Sequence, residues 1–244
     1  MVDRYISRGR RQGVSRNNDL PDRVDLRASL PVVLDQGTRS TCLAFAVTAA
    51  HERVKNIQSD VIADLSEEFL YWGCKQIDGD REPGTSFLSA AAALMDYGQP
   101  HEEVWPYDGF RDDADASYNP PEGALDAIPY YNALMMQISL TIEDLQLWLA
   151  RGHTVALGIR LSRGFFEPIQ GAIPMPVAEE ELMEGHAILV VGYENGVLPG
   201  EGFLILRNSW GLEWGDEGYG YLPYAYIERY GGEAWIISNS SEGN

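Results

Sequence analysis

The sequence holds two cysteines, Cys42 and Cys74. That is too few for a disulfide framework, and there are no paired CxxC spacings for a zinc site, so at least one thiol is free to react. A thiol attacks as its thiolate. Cys42 lies in LDQGTRSTCLAFA, just after a threonine and at the head of an alanine-rich stretch. This puts it at a helix N-terminus, where unpaired amides and the helix dipole favour the anion. Gln36, six residues earlier on a glycine-containing loop, is near enough for its side-chain amide and the Cys42 backbone N–H to converge on one oxyanion. Each has a plainer reading: Cys42 as a small apolar residue of a buried helix, Gln36 as a surface loop residue. His51, His101 and His153 have no ligand or base partner at useful spacing and read as structural; His51 is more than two turns along the helix from Cys42.

The elements that must carry these groups follow from periodicity. Thr41 to Asn56 has helix formers, apolar residues at helical spacing and a threonine before its first turn. Further helices are predicted over Ser66 to Ile77, with Glu67 and Glu68 suited to its N-terminus, over Thr85 to Tyr97, stopped by Gly98 and Pro100, and over Thr141 to Arg151. Between Glu103 and Ile128, WPYDGF and YNPPEG are loop chemistry. From Thr154 onward the runs TVALGIRL, HAILVVGYE, GFLILRNSW, YGYLPYAYI and EAWIISN read as antiparallel strands. The fold class is α+β, a helical part followed by a sheet.

Composition bounds the function. The chain has 244 residues, 45% hydrophobic, and a formal charge of -19. Such a surface repels phosphate backbones and anionic membrane, so neither nucleic acid nor membrane is an expected partner. No apolar run approaches the roughly 18 to 20 residues of a membrane span, and the first residues lack the apolar core of a secretory signal. A cytoplasmic protein is expected.

GHAILVVGYE and GFLILRNSWGLEWGDEGYGY, taken with LDQGTRSTCLAFA, LSEEFLYWGC, PGTSF and VWPYD, resemble the papain-like cysteine peptidases in residue type and order, from about Leu20 to Ile237. The family's separation of roughly 130 to 150 residues from the cysteine is met by His186 and exceeded by Asn208, where ENGVLPGEG lengthens a turn. The resemblance implies a two-lobe fold, a helical lobe and an antiparallel β-barrel-like lobe with the active-site cleft between them. The lobes would span about 36–128, and about 21–35 with 129–240, flanked by a loose arm at 1–20 and a tail at 241–244. It also implies roles. Cys42 is the nucleophile and forms a thioester acyl-enzyme. His186 is the general base and acid, Asn208 orients it, and Gln36 serves the oxyanion site. Gly84 offers its backbone to substrate, and Trp210, the second substrate-binding candidate, shields the His–Asn bond. The substrate is a peptide or protein, with no metal and no organic cofactor. An acyltransferase or amidase on the same fold, or a non-catalytic binding protein, are the alternatives.

The chain departs from the family pattern at several points. Arg39 replaces the cysteine that would pair with one in the position of Cys74, which predicts a buried free thiol at Cys74 and suits a reducing compartment. Leu43 and Ser40 replace the usual Trp and Gly beside the nucleophile. Only about 20 polar residues precede the catalytic domain, so restraint by some means other than a long propeptide is expected. Acidic runs at Glu179, Glu180, Glu181 and Glu184, and at Asp78, Asp80 and Glu82, should border the cleft and favour basic substrates. The arm's Arg8 to Arg11 could dock there.

Overall fold

The computed structural model describes residues 20–58, 63–112, 118–126, 130–196 and 202–239. The expected arm and its Arg8 to Arg11 dock, the tail at 241–244, the boundary at 128–129 and most of the ENGVLPGEG turn lie outside the described residues.

Helix α1, Cys42–Gln58, is buried almost all round over its first three turns, as expected of an Ala-rich helix that runs through a core. Helix α2 is Glu67–Asp78, where Ser66 Oγ accepts from Phe69 N–H at 3.1 Å and Gly79 closes the C-terminus at φ 73°. Helix α3 is Phe87–Asp96, capped in the same way by Ser86. The capping hydroxyls take an otherwise orphaned amide and fix where each helix starts.

Strands β1 (Arg23–Asp25), β2 (Ala133–Ile138), β3 (Val155–Leu161), β4 (Met183–Asn195), β5 (Gly202–Arg207), β6 (Tyr219–Pro223) and β7 (Gly231–Asn239) form one antiparallel sheet among the described residues. Its order is β2-β7-β3-β4-β5-β6. β1 pairs with the far end of β4, continuing the line of β3. Gly192 permits that approach, because a Cβ there would meet Val24 O at 2.2 Å. Helices α4 (Ile142–Ala150), capped by Thr141, α5 (Arg163–Phe166) and α6 (Tyr224–Tyr230) complete the fold.

The sheet separates two apolar clusters. Ala187, Leu189 and Val191 of β4 pack with α1, α2 and α3, while Ile188 and Val190 pack with α4 and α6, the period-two alternation of a strand buried on both faces. Tyr193 joins Val190's cluster although Val191 belongs to the other, and the irregularity between Val190 and Gly192 accounts for the change of face.

The expected combination of helices and antiparallel sheet is present, and the sheet is open among the described residues, with β2 and β6 as edges, and is not a closed barrel. Two segments depart from the reading of the sequence. YAYI, read as strand from its Tyr and Ile content, is helix α6: Pro223 stands at its N-cap, and Tyr226 and Ile227 pack inward. β2 was not expected, because ALMMQI carries little β-branched character; it forms as the edge partner of β7.

Candidate active site

Cys42 is the first residue of α1, so its backbone N–H has no partner within the helix. The residue is partly exposed, and its Sγ accepts from Ala187 N–H at 3.4 Å, which sets the thiol against β4 at the residue after His186. Cys42, His186, Gly84, Thr85, Phe87, Arg160 and Glu233 are among the residues that line one open cleft of about 470 Å³.

His186 Nε2 lies 2.7 Å from Asn208 Oδ1. The same oxygen accepts from Ser209 N–H at 2.9 Å. A backbone amide only donates, so the atom it meets must be the oxygen, and His186 Nε2 must carry the hydrogen. Nδ1 is thereby left with its lone pair, the tautomer a general base needs. Trp210 lies over the imidazole at 4.8 Å between centroids, backed by Phe165 and Phe166. It covers the histidine and is not among the residues that line the cleft.

Burial pushes the Cys42 thiol up, opposed by backbone amides, that of Ala187 first. It also pushes the His186 imidazole down to about 4, opposed by the Asn208 bond. Each charge alone is disfavoured here. A thiolate and an imidazolium formed together would offset one another.

Gln36 is held from several sides. Its N–H donates to Ser209 O at 2.8 Å, its Oε1 accepts from Ser209 Oγ at 2.5 Å, and its Nε2 donates to Arg39 O at 2.7 Å. That uses one of the two Nε2 hydrogens, and Gln36 is not among the residues that line the cleft. The segment carrying Gln36 is laced to the end of β5 and the residues after it: Arg207 donates to Pro31 O and Val32 O, both at 2.6 Å, and Asp35 bridges Trp210. Arg207 and Ser209 flank Asn208 in the RNSW motif. Their contribution to holding Gln36 was visible only as adjacency.

Gly84 lines the cleft at φ 85°, but its N–H donates to Tyr71 Oη at 3.2 Å and its carbonyl accepts from Lys75 Nζ at 3.1 Å. The amide is thus paired within the fold, while the carbonyl keeps a second lone pair for the backbone contact expected of this residue. Lys75 Nζ also donates to Asp78, Asp80 and Glu82 O, and Glu180 accepts from Arg163 N–H and Val177 N–H. These acidic segments organise loops, and none of their described carboxylates lines the cleft; the carboxylate that does is Glu233, which the sequence reading passed over as part of a strand.

The remaining histidines have structural partners: His51 Nδ1 meets Gln99 Oε1 at 2.8 Å, His101 lies between Asp64 O and Tyr131, and His153 meets the Trp148 ring. Cys74 is free and fully buried, its thiol pushed up to about 12 by burial.

Asn208→Ala is expected to lower kcat about 10²-fold on a peptide amide with little change in KM, because it frees the imidazole to turn and removes the bond that stabilises its charged form. Steady-state kinetics at constant active-site concentration check this.

Three comparisons bear on this geometry. The family model described as papain family cysteine protease matches residues 20–240. A protein of Arabidopsis thaliana named Probable cysteine protease RDL2 is 32% identical over 224 residues, covering 87% of this chain and 57% of its own length. Cathepsin J of Mus musculus is 29% identical over 82% of this chain and 59% of its own. The chain thus spans less than two thirds of either relative. Among solved structures, xylellain, a cysteine protease from Xylella fastidiosa, superposes with a TM-score of 0.76 at 26% identity, over 91% of this chain and 87% of that one.

Proposed function

Since the chain belongs to the papain family of cysteine proteases, we propose that it hydrolyses peptide bonds of protein or peptide substrates. The observation that carries the reading is the line from Ser209 N–H through Asn208 Oδ1 to His186 Nε2–H, which leaves Nδ1 as a base in the cleft that holds Cys42.

Cys42 Sγ attacks the scissile carbonyl carbon and its proton passes to His186 Nδ1. The carbonyl oxygen becomes an oxyanion that takes hydrogen bonds from Cys42 N–H and Gln36 Nε2–H. The C–N bond breaks as His186 returns the proton to the leaving amine, and a thioester remains. Water, deprotonated by His186, attacks the thioester; the C–S bond breaks, and the carboxylic acid and the thiol are released.

Glu233 supports a preference for a basic substrate side chain. One carboxylate oxygen accepts from Trp235 Nε1 at 2.7 Å, and the residue lines the cleft. Glu233→Gln is expected to lower kcat/KM for Arg- and Lys-containing peptides about tenfold relative to Leu-containing ones, the size of one hydrogen bond to a charged group. A peptide library read by product mass measures this. The same masses separate hydrolysis, which adds one water across the products, from transfer of the acyl group to an amine. A basic preference unchanged in Glu233→Gln would assign it elsewhere. No helix among the described residues is long and apolar enough to cross a membrane. The free thiols, with Arg39 in a family cysteine position, support the reducing cytosol as the place of work.

A further inference from the structure

The residue that replaces a family cysteine is a buried cation anchored from several sides. Arg39 grips Glu68 of α2 with both terminal nitrogens, Nη1 to Oε2 at 2.6 Å and Nη2 to Oε1 at 2.9 Å. The side chains are 3% and 0% exposed. Nη1 also donates to Asp108 O at 2.8 Å, and the guanidinium lies 5.0 to 5.6 Å from the ring centres of Tyr71, Tyr107 and Tyr118. A planar, bidentate cation stacked among rings is a role that arginine fills and lysine does not.

The backbone carbonyl of this same residue receives Gln36 Nε2. Around it the loop is pressed onto its neighbour: Thr38 N–H donates to Gly109 O at 3.1 Å, and Tyr107 Oη donates to Gln36 O at 2.7 Å. Gly37 sits at φ 65°, where a Cβ would meet Gly109 O at 2.6 Å. These contacts and the Arg39–Glu68 pair together hold the loop against its neighbours.

We propose that Arg39, through its buried pair with Glu68, is the positioning residue for the oxyanion site: the side chain fixes the peptide whose carbonyl aims the Gln36 amide. The proposal rests on the reading of Gln36 as an oxyanion donor. An ion pair, unlike a disulfide at this position, is indifferent to reductant.

Two reactions of the same thiol separate this role from plain stability. Peptide hydrolysis passes through an oxyanion; alkylation of Cys42 by iodoacetamide displaces iodide at a saturated carbon and forms none. The experiment measures both in the wild type, Arg39→Lys, Glu68→Gln, Gln36→Ala and Gln36→Ala/Arg39→Lys, with kcat expressed per alkylatable Cys42. Gln36→Ala tests the underlying reading: no fall in its kcat would overturn the oxyanion role of Gln36 and the proposal with it. Given that fall, Arg39→Lys and Glu68→Gln are expected to lower kcat about ten- to a hundredfold, as misplacement of a catalytic group does. KM and the alkylation rate should stay within about twofold, and Arg39→Lys should add nothing in the Gln36→Ala background. A kcat per site equal to wild type, a parallel fall in alkylation, or additive losses in the double variant would reduce the pair to a fold-stabilising contact and overturn the proposal. Glu68→Gln keeps nearly the wild-type volume, so it carries the test if Arg39→Lys lowers the yield of folded protein.

Discussion

His186→Ala is expected to lower kcat/KM on a peptide amide by at least about 10⁴-fold, Cys42→Ala to do the same, and the double variant to lose no more than either, because the two act as one unit. Burial pushes the Cys42 thiol above its ordinary value, and the Ala187 N–H at 3.4 Å is only a weak counterweight. Without an acceptor nearby the thiol stays protonated, and neither its place at the head of α1 nor the cleft compensates. The thiol can be followed directly. Cys74, the only other cysteine, is fully buried and its thiol is pushed up to about 12, so near-stoichiometric iodoacetamide reports Cys42 alone. In the wild type one fast adduct is expected, with an acidic limb set by the pair and not by Cys42 singly. In His186→Ala the adduct should form no faster than on a free peptide thiol. Labelling that is equally fast in both proteins would mean that His186 does not activate the cysteine, and a binding function for this cleft would then account better for the fold.

The elements that position the site were the most legible part of the sequence, because their signals are local. Ser66, Ser86 and Thr141 each cap the helix that follows, and apolar runs such as HAILVVGYE and GFLILRNSW became β4 and β5 because a strand buried on both faces needs little else. YAYI failed because Pro223 and inward packing outweigh a β-leaning composition. At the site, Cys42, His186 and Asn208 carry chemistry in their own side chains, so motif order exposed them. Gln36 was legible as a candidate donor, but its tether was not, since Arg39, Glu68, Tyr107 and Ser209 come together only through the tertiary fold. Gly84 was placed by its motif: it lines the cleft as PGTSF suggested, while its contacts with Tyr71 and Lys75, both on α2, were not legible in that motif. Glu233 was hidden for a simpler reason: in EAWIISN one charge at a strand end looks like ordinary surface, and only the pairing of β7 with β3 brings it beside Phe87 and Gly158 in the cleft.

Unfolding free energy is expected to fall as pH rises from about 5 to 8.5, the reverse of a protein held together by surface carboxylates. The cause is a group of acids at the start of α2. Glu52 of α1 is raised to about 8, chiefly by burial and then by Asp64 and Glu102, while the Leu65 amide and Arg207 oppose the shift. Glu67 is raised well above its ordinary value by burial and by Glu52 and Glu102, and Glu102 is raised to about 7 by burial. Because the folded values exceed the unfolded 4.5, the folded state binds the extra protons: this stability is complete below about 4.5 and is lost as pH rises through 7 to 8. Two histidines set the other side. His51 and His186 are both pushed by burial from 6.5 to about 4, so what they contribute is present above 6.5 and disappears as pH falls through 4. Denaturant unfolding between pH 4 and 9 measures the profile. Glu52→Gln, which keeps the volume and leaves a carbonyl oxygen for the Leu65 amide, should flatten the alkaline limb while leaving the acid limb in place. A wild-type stability that holds steady or climbs from pH 5.5 to 8.5 would mean instead that Glu52 and Glu67 are ionised in the native state, with Arg207 as their counter-charge. In that case Glu52→Gln would destabilise the protein at neutral pH by leaving the Arg207 guanidinium under-compensated in a buried site.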